Sequence, residues 1–176
     1  MKIGIISDVH DNLRHLQKAI EFFNKEKISL LVHCGDWDAP FSLRAYLALK
    51  CPIRGVMGNG DPDIQKYLYQ LQNIEMLKDL DLSLSSRFLE FSIEGIRFGV
   101  FHGDDENMNA CLTESQMFDV LCLGHTHKPL IGQKGKTLVV NPGSLIGYMA
   151  ETGIQPATVA LYDTATKKAE IIDLKI

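Results

Sequence analysis

The sequence lacks the features that mark membrane, secreted and nucleic-acid-binding proteins. Its 176 residues contain no apolar run long enough to span a bilayer, and the apolar N-terminus is too short and too polar for a signal peptide. The four cysteines have no paired spacing, which predicts reduced thiols rather than disulfides or a zinc ribbon. Basic residues are not in excess, since 18 Lys and Arg stand against 22 Asp and Glu, which argues against duplex nucleic acid as a partner. These absences predict a cytoplasmic protein with no membrane partner.

Repeats, low-complexity runs and linker-like stretches are also missing from the sequence. The hydrophobic content of 45% is ordinary for a globular protein and is enough for a sizeable core. A chain of this length is close to the usual size of one domain, so we expect residues 1–176 to form a single domain.

Strand and helix patterns alternate in the first half of the chain. A β-rich run over residues 2–7 is followed by apolar residues at helical spacing from Leu13 to Phe23, behind a cap at Asp11 or Asn12. The same patterns predict, in chain order, a strand at 28–33, a helix opening at Pro40, a strand at 53–57, a helix at 62–71, a hairpin of 87–93 with 96–101, a helix at 106–115, a strand at 120–123 and a final hairpin of 157–162 with 169–174. The pattern indicates an α/β fold with a parallel start, an antiparallel continuation and two packed sheets.

Polar residues that suit a metal site follow the predicted strands. Each stands just past the C-terminal end of a strand: Asp8, His10, Asp36, Asn59, His102, His125 and His127. Ligands of α/β sheets bind outside the carboxyl ends of the strands, so neighbouring strands would bring these side chains to one edge. Carboxylate, imidazole and amide oxygen together suit Mn, Fe, Zn, Ni or Co better than Ca or Mg, which prefer shells of oxygen.

Each of these residues also has an ordinary interpretation. A helix cap, a surface histidine or a turn would account for Asp8, His10, Asp36 and Asn59-Gly60 when they are taken singly. Two histidines one residue apart in a loop, His125 and His127, are uncommon without a metal. The ordered series of signals at successive strand ends therefore favours a metal site. The remaining histidines, His15 and His33, are assigned to a helix face and to a strand end.

Five short blocks occur in order along the chain: Asp8-Val-His10, Gly35-Asp36, Gly58-Asn59, His102-Gly103 and Gly124-His-Thr-His127. Together they resemble the signature of the calcineurin-like metallophosphoesterase superfamily. The small size of the chain and its stretch Asn141-Pro-Gly-Ser144 resemble the compact bacterial and archaeal phosphodiesterase branch. The resemblance implies a four-layer α/β/β/α sandwich.

The resemblance also implies a centre of two divalent metal ions and assigns its ligands. The first ion would be held by Asp8, His10, Asp36 and His127, and the second by Asp36, Asn59, His102 and His125. Asp36 would then bridge the two ions, and Asp36, Asn59 and His102 are the residues given a catalytic role. Manganese is the favoured metal, with Fe, Ni, Co and Zn as alternatives.

The activity implied by the resemblance is hydrolysis of a small phosphate ester, with a hydroxide that bridges the metals as nucleophile. A phosphodiesterase is favoured over a phosphomonoesterase, because Gly60 replaces the histidine that many members carry after the Asn. Nucleotides are among the candidate substrates. A non-catalytic metal-binding scaffold, like the retromer scaffold subunit that resembles this branch, is the alternative of another class. Members often form dimers, so a homo-oligomer is included among the expected states.

Two further positions depart from the family pattern. Asp11 stands where glycine is common, and Asp104 stands where a second histidine often follows the His-Gly block. Asp38 and Asp61 are candidates for orienting the ligand histidines. Two aromatic residues near the blocks would be able to stack on a base, although packing is the favoured interpretation for Trp37 and Tyr148.

Overall fold

The computed structural model describes residues 1–149 and 153–175, in which helices and strands alternate as the sequence predicts. The helices are α1 (Leu13–Glu26), α2 (Ile64–Asn73) and α3 (Glu106–Glu114), with 3-10 helices at Pro40–Ala48 and Glu75–Leu77. The strands are β1 (Lys2–Ile6), β2 (Leu30–His33), β3 (Ile53–Val56), β4 (Leu82–Ser85), β5 (Phe88–Ile93), β6 (Ile96–Phe101), β7 (Val120–Cys122), β8 (Leu130–Lys134), β9 (Thr137–Asn141), β10 (Tyr148–Met149), β11 (Gly153–Ile154), β12 (Thr158–Asp163) and β13 (Lys168–Asp173). Within the described ranges, no helix has the length and apolar character needed to cross a bilayer.

Two large sheets form the framework of the fold. The first has six strands in the order β13-β12-β1-β2-β3-β4, of which β1 to β4 are parallel to one another. The second has five strands in the order β5-β6-β7-β9-β8, in which β6, β7 and β9 are parallel and the two edge strands are antiparallel to their neighbours. Strands β10 and β11 pair in a short sheet of their own. The expected parallel start is confirmed. The expected antiparallel continuation is wrong for β6, β7 and β9, which are parallel to one another, and holds for the pairs β5–β6, β8–β9 and β12–β13.

The two large sheets pack against each other over an apolar core. Ile3 and Ile5 of β1 and Val32 of β2 lie in one cluster with Phe98 and Val100 of β6. Sheet-on-sheet packing of this kind holds the edges of both sheets in a fixed relation.

Helices cover the outer faces of the sheets. Leu16, Ile20 and Phe23 of α1 lie in a second cluster with Ile6 and Leu31 of the first sheet. Strands β1 and β2 are therefore buried on both faces, which explains their continuous apolar sequences. Helix α3 connects the parallel strands β6 and β7, so it lies on the face of the second sheet that is turned away from the first. The predicted α/β/β/α sandwich is confirmed, although α3 forms a thin layer with no buried residue.

The segment that opens at Pro40 is a 3-10 helix and not the α-helix that the apolar pattern predicts. Its buried residues Leu43 and Tyr46 are three positions apart, which matches the 3-10 period. Ala39, the residue before it, makes no side-chain cap hydrogen bond. The segment ends at Ala48 because the next residue is already extended.

Helix caps and one strand also differ in detail from the sequence prediction. Asn12 caps α1, since its side chain accepts a hydrogen bond from the His15 N–H. Asp63 caps α2, so that helix begins at Ile64 rather than at residue 62. The sequence patterns do not predict β4, because Leu-Ser-Leu-Ser is a short signal whose strand forms by pairing with β3.

Replacing Phe98 with alanine tests the packing between the sheets. Phe98 is fully buried, stacks on Phe91 with 5.0 Å between ring centroids and meets the Tyr162 ring of the first sheet edge-on at 5.6 Å. We expect Phe98→Ala to lower the free energy of unfolding in urea by about 3–5 kcal/mol, because it opens a cavity between the sheets. Phe41→Ala is the matched control: Phe41 is 49% exposed, and its loss should cost less than about 1 kcal/mol. Equal effects of the two substitutions would contradict this account of the core.

Candidate metal centre

The carboxyl ends of parallel strands from both sheets meet at one edge of the molecule. In the first sheet, the loop after β1 is joined to the loop after β2 by a hydrogen bond from Asp8 N to Gly35 O at 3.0 Å. The second sheet is tied to the same loop, because His102 Nδ1 lies 2.8 Å from Cys34 O. This contact across the sheets brings the predicted ligands of both together.

One group of ligand atoms comes from Asp8, His10 and His127. His127 Nε2 lies 3.1 Å from His10 Nε2 and 3.3 Å from Asp8 Oδ1. Asp36 Oδ2 approaches the same place, at 3.6 Å from His10 Nε2. Asp8 Oδ1 is buried and has no hydrogen-bond partner among the residues that the structure describes. A cation bound between this carboxylate oxygen and the neighbouring imidazole nitrogens would satisfy the oxygen.

A second group comes from Asp8, Asp36 and His102. His102 Nε2 lies 3.4 Å from Asp36 Oδ1 and 3.0 Å from Asn59 Oδ1. His125 is next to this group: its ring centroid is 5.2 Å from that of His102, and its backbone N–H donates to Asp8 Oδ2 at 3.0 Å. The structure thus brings all the predicted ligand residues to one place, with the His125 ring at the exposed side.

Hydrogen bonds on the far nitrogens determine which imidazole nitrogen faces the centre. Nδ1 of His10 lies 3.1 Å from the Asp38 carboxylate, so in the neutral ring Nδ1 carries the proton and Nε2 presents a lone pair. His102 Nδ1 donates in the same way to the carbonyl of Cys34. A lone pair that faces carboxylate and amide oxygens is favourable only with a cation or a proton between them. The residues present therefore fit a divalent metal, and Asp38 has the predicted orienting contact.

His102 and Asp36 shift each other's pKa. Burial lowers the pKa of His102, but the hydrogen bond and the charge of Asp36 outweigh burial and raise the pKa to about 9. Burial raises the pKa of Asp36, but the hydrogen bond and the charge of His102 outweigh it, and the pKa is lowered. A proton on His102 Nε2 and a divalent cation would therefore compete for the same position.

Comparison with known proteins gives the family of the chain. Residues 1–167 match the calcineurin-like phosphoesterase superfamily domain. The chain belongs to this superfamily. Membership implies a hydrolase of phosphate esters that uses divalent metal ions.

Individual relatives of this phosphoesterase cover the chain almost completely. Phosphodiesterase MJ0936 of Methanocaldococcus jannaschii is 34% identical over 99% of this chain and 100% of the relative. A solved structure of an archaeal phosphodiesterase superposes with a TM-score of 0.86 at 31% identity, over 98% of this chain and 99% of that chain. Vps29 of Entamoeba histolytica, solved in complex with zinc, has a TM-score of 0.68 at 18% identity, over 99% of this chain and 100% of that chain. This last similarity extends to the fold alone.

Asp61 contacts the backbone of the loops after β2 and β3 and the Tyr67 hydroxyl, in contrast to the role of orienting a histidine that was considered for it. Its Oδ2 accepts the N–H groups of Gly58 at 2.7 Å and Asp36 at 3.0 Å, and its Oδ1 accepts that of Asp38 at 2.7 Å. The Tyr67 hydroxyl also donates to Oδ1, at 3.2 Å. Burial raises the pKa of Asp61 to about 6. Asp61 thus fixes the loops after β2 and β3 relative to each other.

The two departures from the family pattern, Asp11 and Asp104, have partners outside the ligand set. Asp11 Oδ1 accepts the N–H of Ala39 at 3.0 Å. Asp104 accepts two hydrogen bonds from Arg87 Nη1, at 2.6 and 2.8 Å, and the Arg87 guanidinium lies 4.8 Å above the Phe101 ring. Arg87 could not be singled out from the sequence, because its partner is 17 residues away and leaves no local signal.

The histidines outside the ligand set lie where the sequence analysis assigned them. His15 is on α1, with Nδ1 2.6 Å from Leu145 O. His33 ends β2 and is stacked on Trp37 with 3.5 Å between ring centroids. Trp37 is fully buried, so it packs and does not offer a stacking face to a ligand. The Tyr148 side chain lies outside the described part of the structure.

Two polar residues of the Asn-Pro-Gly-Ser stretch support the ligand loops. Ser144 Oγ donates to Asp8 O at 2.9 Å, and Asn141 Nδ2 donates to Gly124 O at 2.7 Å. The family resemblance includes this stretch but assigns it no role. The available signal was a pair of hydrogen-bonding side chains on either side of a Pro-Gly turn.

Five of the predicted ligands adopt a left-handed backbone conformation, with φ of 53° at Asp8, 46° at His10, 56° at Asp36, 66° at His125 and 57° at His127. Residues other than glycine seldom adopt this conformation, although Asp and His are enriched there. It costs free energy that the surroundings must offset, and such strain clusters at functional sites. The backbone therefore marks the same residues as the side-chain chemistry does.

Because Gly58 has no side chain, the Asp36 carboxylate has room beside it. A Cβ atom on Gly58 would lie 2.1 Å from Asp36 Oδ1 and 2.6 Å from Asp36 N. We expect Gly58→Ala to displace this carboxylate and to weaken Mn²⁺ binding, measured by titration calorimetry, by about tenfold or more. Gly132→Ala is the matched control, because no atom lies within 4 Å of its added Cβ. Unchanged affinity in Gly58→Ala would exclude Asp36 as a ligand in this position.

Proposed function

We propose that this protein is a metal-dependent phosphodiesterase that works with two divalent cations. The observation that carries the proposal is the position of the Asp36 carboxylate. Its Oδ2 lies 3.6 Å from His10 Nε2, and its Oδ1 lies 3.4 Å from His102 Nε2. Each oxygen faces a different histidine, as expected for a carboxylate shared by two cations. The relatives named phosphodiesterases support the same substrate class.

The ligand assignment follows the two groups of side chains. Asp8, His10, Asp36 and His127 would hold one cation, and Asp36, Asn59, His102 and His125 would hold the other. Two such cations supply an activated water as nucleophile and neutralise charge on the phosphoryl oxygens. Asp36, Asn59 and His102 are the residues to which this assignment would give a catalytic role. Asp38 keeps the His10 ring in the tautomer that presents Nε2.

A diester suits the chain better than a monoester. Gly60 has no side chain to protonate a leaving group, and its N–H donates to Asp36 Oδ1 at 2.8 Å. Without an acid at that position, esters with a weakly basic leaving group are favoured. The charge of Arg87, which would suit a doubly charged phosphate, is already paired with Asp104.

Manganese is the proposed metal, because the mixed set of carboxylate, imidazole and amide ligands suits it, and Fe, Ni, Co and Zn are alternatives with the same ligand preference. The proposed substrate is a small phosphate ester, with nucleotides in the range. A homo-oligomer is the proposed assembly, to be tested by sedimentation.

Hydrolysis of bis(p-nitrophenyl) phosphate, compared with p-nitrophenyl phosphate, tests the activity. With added Mn²⁺ we expect faster cleavage of the diester. Asp36→Ala and His125→Ala should each lower kcat/KM by about 100-fold or more, because each removes a group that would hold a cation. Asp79→Ala is the matched control, since Asp79 is exposed and away from the ligand loops.

The same assay separates the alternatives. Faster cleavage of the monoester would replace the diesterase by a phosphomonoesterase. A folded protein that binds Mn²⁺ but cleaves neither ester would contradict the proposal and favour a non-catalytic scaffold. Activity that survives in both variants would refute the ligand assignment.

Replacing Asp38 tests its orienting contact with His10. We expect Asp38→Ala to weaken Mn²⁺ binding by about 10- to 100-fold, because His10 loses the partner that fixes its tautomer. Nitrogen chemical shifts of the His10 ring should report a mixture of tautomers in the variant. Asp63→Ala is the control, since Asp63 caps α2 and is exposed. Equal metal affinities of the two variants would leave Asp38 without this role.

A further inference from the structure

A shallow groove of about 550 Å³ lies beside the candidate metal centre, lined by Pro40, Gln65, Lys66, Tyr69, Gln70 and Ile74. Its lining comes from Pro40, the first residue of the 3-10 helix, from α2 and from Ile74. The 3-10 helix begins shortly after Asp36, and α2 begins shortly after Asn59. Pro40 follows Asp38 by two residues, which places their Cα atoms no more than about 7.6 Å apart. Asp38 in turn contacts His10 at 3.1 Å. Through Pro40 and Asp38, one end of the groove is therefore connected to the candidate ligand His10.

Helix α2 is fixed against the metal loops on the side that adjoins the groove. The Tyr67 hydroxyl donates to Asp38 O at 2.7 Å and to Asp61 Oδ1 at 3.2 Å. Tyr67 is fully buried, and its ring meets that of Trp37 edge-on. The groove is thus preformed relative to the centre, and a ligand that spans both would lose little free energy to rearrangement.

The groove offers an aromatic face, a cation and amide groups. Tyr69 is 66% exposed, which is a large fraction for an aromatic side chain. Lys66 is exposed one turn away on the same helix. Gln70 Oε1 is buried with no hydrogen-bond partner among the described residues, so a ligand that donated a hydrogen bond to this amide would satisfy a group that is otherwise unpaired.

We propose that this groove binds the nucleoside part of a phosphodiester substrate, with the base stacked on the Tyr69 ring and the Lys66 ammonium close to the phosphate. The proposal rests on the proposed function, because the metal centre would hold the phosphate at the end of the groove. Stacking on tyrosine tolerates different bases, whereas the Gln70 amide can accept a hydrogen bond from the edge of one.

The composition of the groove favours this occupant over a protein partner. Protein interfaces have an apolar core from which charged residues are depleted. Here a lysine and two glutamines stand beside Tyr69, Pro40 and Ile74. Among the described residues that line the groove, the charged side chain is a cation, Lys66, which suits an anionic ligand.

Two chromogenic diesters with the same leaving group test the groove. Methyl p-nitrophenyl phosphate has no base, whereas the p-nitrophenyl ester of thymidine 5′-monophosphate has one. We expect a KM at least about fivefold lower for the nucleoside ester, and Tyr69→Ala should abolish this difference without changing kcat or KM for the methyl ester. Tyr69→Phe should retain the preference. Met117→Ala is the surface control, since Met117 is 49% exposed and precedes β7, at the opposite edge of the sheet.

Equal KM values for the two esters in the wild type, or a Tyr69→Ala variant that keeps the preference, would overturn the groove proposal while leaving the phosphodiesterase intact. Sedimentation of Tyr69→Ala provides a second criterion. If the substitution turns a dimer into monomers, the groove is an interface between copies of this chain, and the proposal is overturned.

Binding of thymidine to the Zn²⁺-loaded protein gives a test that needs no turnover. We expect ¹⁵N-amide shift changes at Lys66, Tyr69 and Gln70 in the wild type, and their loss in Tyr69→Ala. If these changes appear but neither diester is cleaved, the groove stands and the proposed function falls. Absence of the changes in the wild type would overturn the groove proposal whatever the activity.

Discussion

The position of the Asp36 carboxylate is the constraint on which the candidate site depends. One oxygen faces His10, from the loop after β1, and the other faces His102, from the second sheet. Both contacts require the carboxyl ends of the strands of the two sheets to lie side by side. The apolar core between the sheets and the hydrogen bond from His102 to Cys34 O hold them in this position. The absence of a side chain at Gly58 is part of the same constraint, because any Cβ there would occupy the place of the carboxylate.

That these polar residues gather at one place could be predicted from the sequence, because their signals are local. Each stands in a short block after an apolar strand, and the strands β1, β2, β6 and β7 lie close to their predicted ranges. The supporting contacts could not be predicted in this way. Asp61 binds backbone amides of two loops, and Arg87 reaches Asp104 from the turn after β4, so both depend on how distant segments pack. The 3-10 helix at Pro40–Ala48 is an intermediate case, since its three-residue spacing is visible in the sequence but is easily taken for an α-helix.

Strained backbone at the centre has to be offset by the rest of the fold. Left-handed conformations at residues other than glycine cost roughly 1–3 kcal/mol each where they are poorly populated. At Asp8 the surroundings provide a hydrogen bond from its N–H to Gly35 O and one from Ser144 Oγ to its carbonyl. At Asp36 they provide the Asp61 carboxylate as acceptor for its N–H. The buried polar contacts around the candidate ligands thus stabilise the backbone conformation as well as the positions of the side chains.

The loops of the candidate centre and the helices that follow them are held in place by different contacts. Asp61, Asn141 and Ser144 hold the loops that carry the candidate ligands through hydrogen bonds to backbone groups of Asp36, Gly124 and Asp8. Helix α2, which follows one of these loops, is attached to them through its buried side, where the Tyr67 hydroxyl donates to Asp38 O and Asp61 Oδ1. Its outer face is turned to solvent. In the proposed groove, a substrate whose phosphate lay at the centre would extend along α2, so substitutions on that surface would change the choice of substrate while the chemistry stayed the same.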